Sequence, residues 1–302
     1  MLVVNAGSTS LKLSVVGRGG ESESIESLED LAQEISAVGH RIVHGGARFR
    51  EPVVVDEDVE RALRELSDLA PLHNVPALDA LEQAQSRYPS VPHVAVFDTA
   101  FHATMPPHAT TYAIPGRWRE EWGVRRYGFH GLSVTWVAEQ VRVPRLVVCH
   151  LGGGCSVTAV LDGNSVDTTM GFSPLEGVPM ATRAGSVDPG ALLYLLRRRG
   201  LTPDELDHAL EHESGLAALG GLEDPLAFEV YTYRIAQACA AMATALGGID
   251  VVAFTGGVGE NRDDVRAAVT QRLRFLGDLR ERVVHAREDV VVARAVRTAL
   301  QH

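Results

Sequence analysis

Short apolar runs broken by small-residue turns recur along this chain, and the clearest instance occurs twice. Leu2 to Gly17 reads LVVN-AGSTS-LKLSVVG, an apolar run, a turn of small residues, an alternating run and a glycine. Leu146 to Gly163 reads LVVCH-LGGGCS-VTAVLDG and repeats that order. Each pattern predicts a β-hairpin with a Gly/Ser turn. The repetition predicts either two related domains, each opening strand–loop–strand, or two unrelated hairpins. Further strands are predicted at Val53–Val55, Val94–Phe97 and Asp250–Phe254. Helical spacing of apolar residues marks Val59–Leu69, Val75–Arg87, Ser133–Gln140, Gly190–Arg199, Pro203–His212, Glu229–Leu246, Asp263–Phe275 and a last helix near Val291–Leu300. Thr202 before Pro203 is a good helix start. Gly19–Asp30, rich in Gly, Ser and Glu, predicts an exposed connection. Strands alternating with helices predict an α/β chain.

Composition narrows the class. A chain of 302 residues suggests one large or two medium domains. With 45% hydrophobic and 22% charged residues it can bury a substantial core. Its 28 basic against 39 acidic side chains, a net charge of -11, argue against a generic nucleic-acid or anionic-membrane binder. A local cationic pocket for phosphates stays compatible with that balance. The N-terminal MLVVNAGSTSLKL has no basic n-region, and its apolar run stops at Asn5. No apolar run approaches a bilayer-spanning length. Cys149, Cys155 and Cys239, without CxxC spacing, fit a reducing cytosol, so a cytoplasmic protein is expected.

Three glycine-rich turns follow apolar strand candidates, at Asn5–Ser10, Gly152–Ser156 and Gly256–Asn261. Such turns expose backbone N–H groups and let a phosphate approach the main chain. None matches GxxxxGK[ST] or GxGxxG, and each alone reads as an ordinary turn. Together they point to a nucleotide held between two domains. Arg41, Asp98, His130, Arg183 and Glu260 sit in or beside strand ends. Singly, each is a surface or structural residue. As a set, two arginines and a histidine can hold a carboxylate and a transferring phosphoryl group, and two carboxylates can hold Mg²⁺ through water. One motif competes. His208-Ala209-Leu210-Glu211-His212 matches H-x-x-E-H, which on a helix could ligate zinc; the polar surroundings favour a solvated helix C-terminus instead.

Taken together, the segments NAGSTSLKLSV, GHRIVHGGARF, LAPLHNVPALDALE, VAVFDTAFHATMP, YGFHGLSVTWVAE, CHLGGGCSVTAVLDG, FSPLEGVPMATRAGSVDPG and AFTGGVGEN resemble the acetate/propionate kinase (acetokinase) family of the actin-like ATPase superfamily, in family order from residue 1 to about 262. The resemblance implies two ribonuclease-H-like domains with the active site in the cleft between them. One lobe would span 1–141, joined by a C-terminal helix at 288–302, and the other, carrying the nucleotide site, 142–287. It implies transfer of a phosphoryl group from ATP to acetate with Mg²⁺ (Mn²⁺ as a substitute), and a homodimer that binds a short-chain carboxylate and a nucleotide but neither nucleic acid nor membrane.

By the same resemblance, Arg41, Asp98, His130 and Arg183 are catalytic. Arg41, Val43, Leu72, His73, Phe129 and Pro174 hold the substrate, with Val43, Leu72, Phe129 and Pro174 as the small apolar pocket for its methyl group. Ser8, Ser10, Lys12, His150, Gly152, Gly153, Gly154, Gly256, Gly257, Val258 and Asn261 hold the nucleotide, and Asn5 and Glu260 the metal. Departures from the family pattern are Gly153 where Asn is usual, LEDPLAFE without the Arg of the family's adenosine segment, with Asp224 as its remnant, a shortened stretch between Lys12 and Gly39, and REDVVVARAV in place of a Thr-Asn-Glu-Glu segment. They keep two alternatives open: a kinase for propionate or butyrate or with another donor such as pyrophosphate, and a family member that binds without turnover.

Overall fold

The computed structural model describes residues 1–6, 11–29, 34–69 and 71–301, with side chains for all of these except 68, 69 and 71–73. Two compact units emerge. One comprises Met1–Ala103, Phe129–Trp136 and Arg287–His302; the other comprises Thr104–Gly128 and Val137–Ala286.

The first unit is built on a sheet of six strands: β1 (Leu2–Ala6), β2 (Leu11–Val16), β3 (Ser22–Ile25), β4 (Val38–Ile42), β5 (Val53–Val54) and β6 (His93–Phe97), in the order β3-β2-β1-β4-β6-β5. β1–β2–β3 are antiparallel neighbours, and β1, β4 and β6 run parallel. Both faces of this sheet are covered, as parallel strands require. Leu2, Val4 and Ala6 of β1 pack into one core with Leu63, Leu78 and Ala84 from the helices Glu57–Glu65 and Pro71–Arg87. Val3, between them, points into the other core with Val292 and Val296 of the helix Glu288–Ala299. The alternation follows from the two-residue period of a strand.

The second unit repeats the plan with β7 (Arg145–Leu151), β8 (Cys155–Leu161), β9 (Asn164–Thr168), β10 (Val251–Thr255) and β11 (Arg280–Val283), in the order β11-β10-β7-β8-β9. Here β7–β8–β9 are antiparallel and β7, β10 and β11 parallel. Position for position, β7, β8, β9, β10 and β11 match β1, β2, β3, β4 and β6. The two hairpins are therefore equivalent parts of two related sheets. Residues 104–128 cluster with this unit because Arg126 Nη1 donates to the carbonyls of Thr168, Thr169 and Met170 at 2.8–3.0 Å, and Tyr127 N to Gly171 O at 2.9 Å.

Several expectations need correction. Gly19–Asp30 is not wholly a connection: it contains β3, an edge strand held by its ladder to β2. Its Ser and Glu side chains are mostly exposed, so it shows no apolar alternation. β9 and β11 are polar edge strands of the same kind. β4 is a central strand, hidden from a hydrophobic scan by Gly39-His40-Arg41. The helix expected from Glu229 begins at Pro225, because Asp224 caps it, accepting from Leu226 N and Ala227 N, and Pro225 takes the first turn. The turn at Gly256–Asn261 is itself a short helix.

Candidate active site

In the first unit, three parallel neighbours, β1, β4 and β6, bring their C-terminal ends together, the part of an open α/β sheet where ligands bind. Asn5 and Arg41 are the less buried positions within two otherwise buried strands, and the register places them opposite each other. Asp98 follows β6 immediately. The three side chains interlock. Arg41 Nη1 donates to Asn5 Oδ1 at 2.8 Å, Arg41 Nη2 to Asp98 Oδ2 at 2.5 Å, and Arg41 Nε reaches both Asp98 oxygens at 3.1 and 3.2 Å. This two-pronged ion pair is nearly buried, with Asp98 only 1% exposed. Burial by itself opposes the Arg41 charge, but Asp98 and Glu288 outweigh it and hold its pKa above the ordinary value. Burial likewise raises Asp98, opposed by Arg41 and the His130 backbone N–H.

Glu288 completes the network: Asn5 Nδ2 donates to its Oε2 at 3.1 Å, and its carboxylate lies 4.0 Å from Arg41 Nη1. Sequence reasoning did not single it out. The signal was available, since Glu288 opens the amphipathic helix of the divergent REDVVVARAV segment. His130 is buried and adopts φ 60°, a left-handed conformation uncommon for a non-glycine residue. It is followed by Gly131, whose N–H donates to Asp98 O at 3.0 Å. Val43 and Phe129 are buried in this unit, and Lys12 is an exposed residue of β2 opposite Asn5. Ser8 and Ser10 lie outside the described residues, as do the side chains of Leu72 and His73.

In the second unit, two glycine turns meet. A Cβ on Gly152 would lie 3.6 Å from Gly257 N, whereas at Gly153 or Gly257 it would meet nothing within 4 Å, so both turns present open backbone. Gly256 has φ 80°, and a Cβ there would come 2.7 Å from Leu151 O; only glycine fits. Asn261 Nδ2 donates to Gly257 O at 2.8 Å, and Val258 lies between them in the short helix. The Thr255 hydroxyl beside this turn is buried without a hydrogen-bond partner among the described residues. His150 faces Thr255 across the β7–β10 ladder, where the first unit has Asn5 facing Arg41. Arg183 belongs to the same cluster of turns, because Ala181 N donates to Gly153 O at 3.2 Å. Pro174 is buried in this unit.

Glu260 is fully engaged. Its Oε1 accepts from Gly256 N at 3.0 Å and Ala286 N at 2.9 Å, and its Oε2 meets His285 Nδ1 at 2.7 Å. Burial alone would raise its pKa, but these contacts together hold it below the usual carboxylate range. The H-x-x-E-H motif does lie on a helix, Pro203–His212, and the His208 and His212 rings lie 5.0 Å apart, tilted by 46°. Its glutamate, however, is the ion-pair partner of Arg183, with Nε to Glu211 Oε2 at 2.5 Å. Among the described residues no group of three or more His, Cys, Asp or Glu is arranged to hold a metal ion.

The sequence profile of the Acetokinase family matches residues 22–296. The chain belongs to the acetokinase family. An acetate kinase of Protochlamydia amoebophila is 46% identical over 264 residues, covering 81% of this chain and 67% of that protein. Two solved structures superpose closely. A propionate kinase from Francisella tularensis gives a TM-score of 0.90 at 30% identity, covering 97% of this chain and 98% of its own. The acetate kinase of Porphyromonas gingivalis gives 0.84 at 30%, covering 99% of both. The two related sheets are thus the two actin-like units of an acetokinase. Among the described residues no helix is long and apolar enough to cross a membrane.

Proposed function

We propose that this protein transfers the γ-phosphoryl group of ATP to acetate, giving acetyl phosphate and ADP. The observation that carries the reading is the Arg41–Asp98–Asn5 lock at the C-terminal ends of three parallel strands, in a chain of the acetokinase family. Acetate is already ionised at neutral pH, so no general base is required. One of its oxygens attacks the γ-phosphorus in line as the bond to the ADP oxygen breaks, and catalysis is positioning plus charge neutralisation. Arg41 reaches this step pre-oriented by Asp98, and Arg183 by Glu211. His130 donates to the transferring group from its fixed left-handed backbone, and Val43 and Phe129 supply the apolar wall for the methyl group.

The glycine turns of the second unit, with open space beside Gly153 and Gly257, suit the close approach of the nucleotide phosphates to the main chain. For the metal, Asn5, Asp98 and Glu288 form one network of two carboxylates and an amide, the hard oxygen donors that Mg²⁺ or Mn²⁺ takes. A cation bound there would neutralise phosphate charge. In this reading Glu260 shapes the Gly256 turn. A cytoplasmic homodimer is the compartment and assembly that go with the family resemblance.

The test is a hydroxamate assay on purified protein with a panel of short acids and phosphoryl donors. Acetate and ATP should yield acetyl hydroxamate, EDTA should abolish it and excess Mg²⁺ should restore it. Failure with every acid and donor would sink the kinase reading; activity that survives chelation would sink its metal requirement.

A further inference from the structure

Arg41 and Arg183 share a design that the sequence does not announce. Each is a nearly buried arginine, 14% and 12% exposed, and each is matched by a more deeply buried carboxylate, Asp98 at 1% and Glu211 at 8%. For Arg41 the partner is the residue just past the end of the adjacent parallel strand. For Arg183 it comes from the last turn of the helix Pro203–His212, and that turn also holds the residues on both sides of the arginine, Thr182 by its hydroxyl and Ala184 by its main chain. Thr182 Oγ1 donates to Glu211 O at 2.8 Å, and Ala184 N to Leu210 O at 3.1 Å. Beyond the helix, Ser214 N donates to Thr182 O at 2.9 Å. One helix end therefore fixes where the Arg183 backbone lies and, through Nε, how its guanidinium is turned. Because the guanidinium is planar, holding Nε orients the whole fork. The same segment is tied to the glycine turn by Ala181 N donating to Gly153 O.

We propose that Glu211 is a positioning residue for Arg183, setting the plane in which that guanidinium meets the transferring phosphoryl group. The proposal rests on the reading of Arg183 as a phosphoryl-gripping residue. It also gives the H-x-x-E-H glutamate a function without zinc. The contact used is a hydrogen bond to Nε, so a neutral acceptor of the same length should do most of the work. Removing the acceptor leaves the arginine present but misdirected, and misplacement of a transition-state partner lowers kcat more than it raises KM.

The experiment uses the full chain with Glu211→Ala, Glu211→Gln, Arg183→Ala and the double change, measuring kcat and KM for acetate and ATP alongside thermal unfolding. Glu211→Ala should lower kcat at least about tenfold with acetate KM changed less than about threefold, and Glu211→Gln should recover kcat to within about threefold of wild type. Adding Glu211→Ala to Arg183→Ala should change kcat less than about twofold, since the two act through one group. Losses that multiply in the double variant overturn the proposal. So does a Gln variant as impaired as Ala, or a Glu211→Ala enzyme of normal kcat beside a crippled Arg183→Ala. These outcomes leave the reading of Arg183 standing. A normal kcat for Arg183→Ala defeats that reading and the proposal with it. If Glu211→Ala does not fold, Glu211→Asp replaces it. Asp keeps the charge but draws back by one methylene, so it should be slower than Gln, and an Asp variant faster than Gln refutes positioning.

Discussion

Acidification should destabilise this protein through two histidines buried in the first unit. His40 on β4 is 1% exposed; its Nε2 shares a hydrogen with His93 Nδ1 at 2.9 Å, and the two rings stack. Burial, with the neighbouring His93, lowers its pKa to about 3. His102, in the turn after β6, is equally buried, and its Nε2 pairs with Phe129 O at 2.9 Å, beside His130. Burial lowers its pKa to about 4, against the raising influence of that carbonyl. In the unfolded chain both titrate near about 6.5. The folded values are depressed, so below that point the unfolded chain takes up protons the folded one refuses. The stability is present above about pH 6.5 and falls away as the pH drops towards the folded values. At about pH 5 each histidine costs about 2 kcal/mol, so the pair removes about 4 kcal/mol relative to about pH 7. Urea unfolding followed by circular dichroism at the two pH values measures the total. Glu and Asp side chains also respond to acid, so the decisive comparison is His102→Gln. Its amide still donates to Phe129 O but does not titrate, and its pH 7-to-5 loss should be about 2 kcal/mol smaller than that of wild type. Identical pH dependence in the two proteins would refute a neutral, buried His102.

Three further outcomes are expected. Gly131→Ala should abolish turnover and lower Tm, because a Cβ there would lie 2.0 Å from Asp98 O, and relieving that clash moves either Asp98 or His130; an Ala variant with wild-type kcat and Tm would contradict the packing. Val43→Ala should raise the propionate-to-acetate ratio of kcat/KM by a factor corresponding to about 1–3 kcal/mol, since it opens room for one methylene; an unchanged ratio removes Val43 from the methyl pocket. GTP should serve within about tenfold of ATP in kcat/KM, because Asp224 and Pro225 are committed to starting a helix and no Arg stands in LEDPLAFE; a preference for ATP of about a hundredfold or more would show an intact adenosine pocket.

Much of this architecture was legible in the residues themselves. The two hairpins declare themselves as an apolar run, a Gly/Ser turn and a second run in the same order, and the long helices through their apolar spacing and through starts such as Thr202-Pro203. The family segments are legible in the residues as well, and they match the family whose profile covers residues 22–296. What the chain order could not convey is which charges neutralise which. Arg41 and Asp98 are 57 residues apart and become partners only because β4 and β6 lie side by side; Asn5 and Glu288, 283 residues apart, meet only because the last helix returns to the first sheet. Nothing in the chain order announces that Glu211 pairs with Arg183, or that the Glu260 carboxylate accepts from Gly256 N and Ala286 N and meets His285. Edge strands such as Ser22–Ile25 were equally silent, because their stability lies in backbone ladders and not in side-chain pattern. Local sequence fixes the period and the turn chemistry of each element. The pairing of buried charges depends on three-dimensional register, since a carboxylate and a guanidinium removed from water need each other within about 3 Å wherever they lie in the chain.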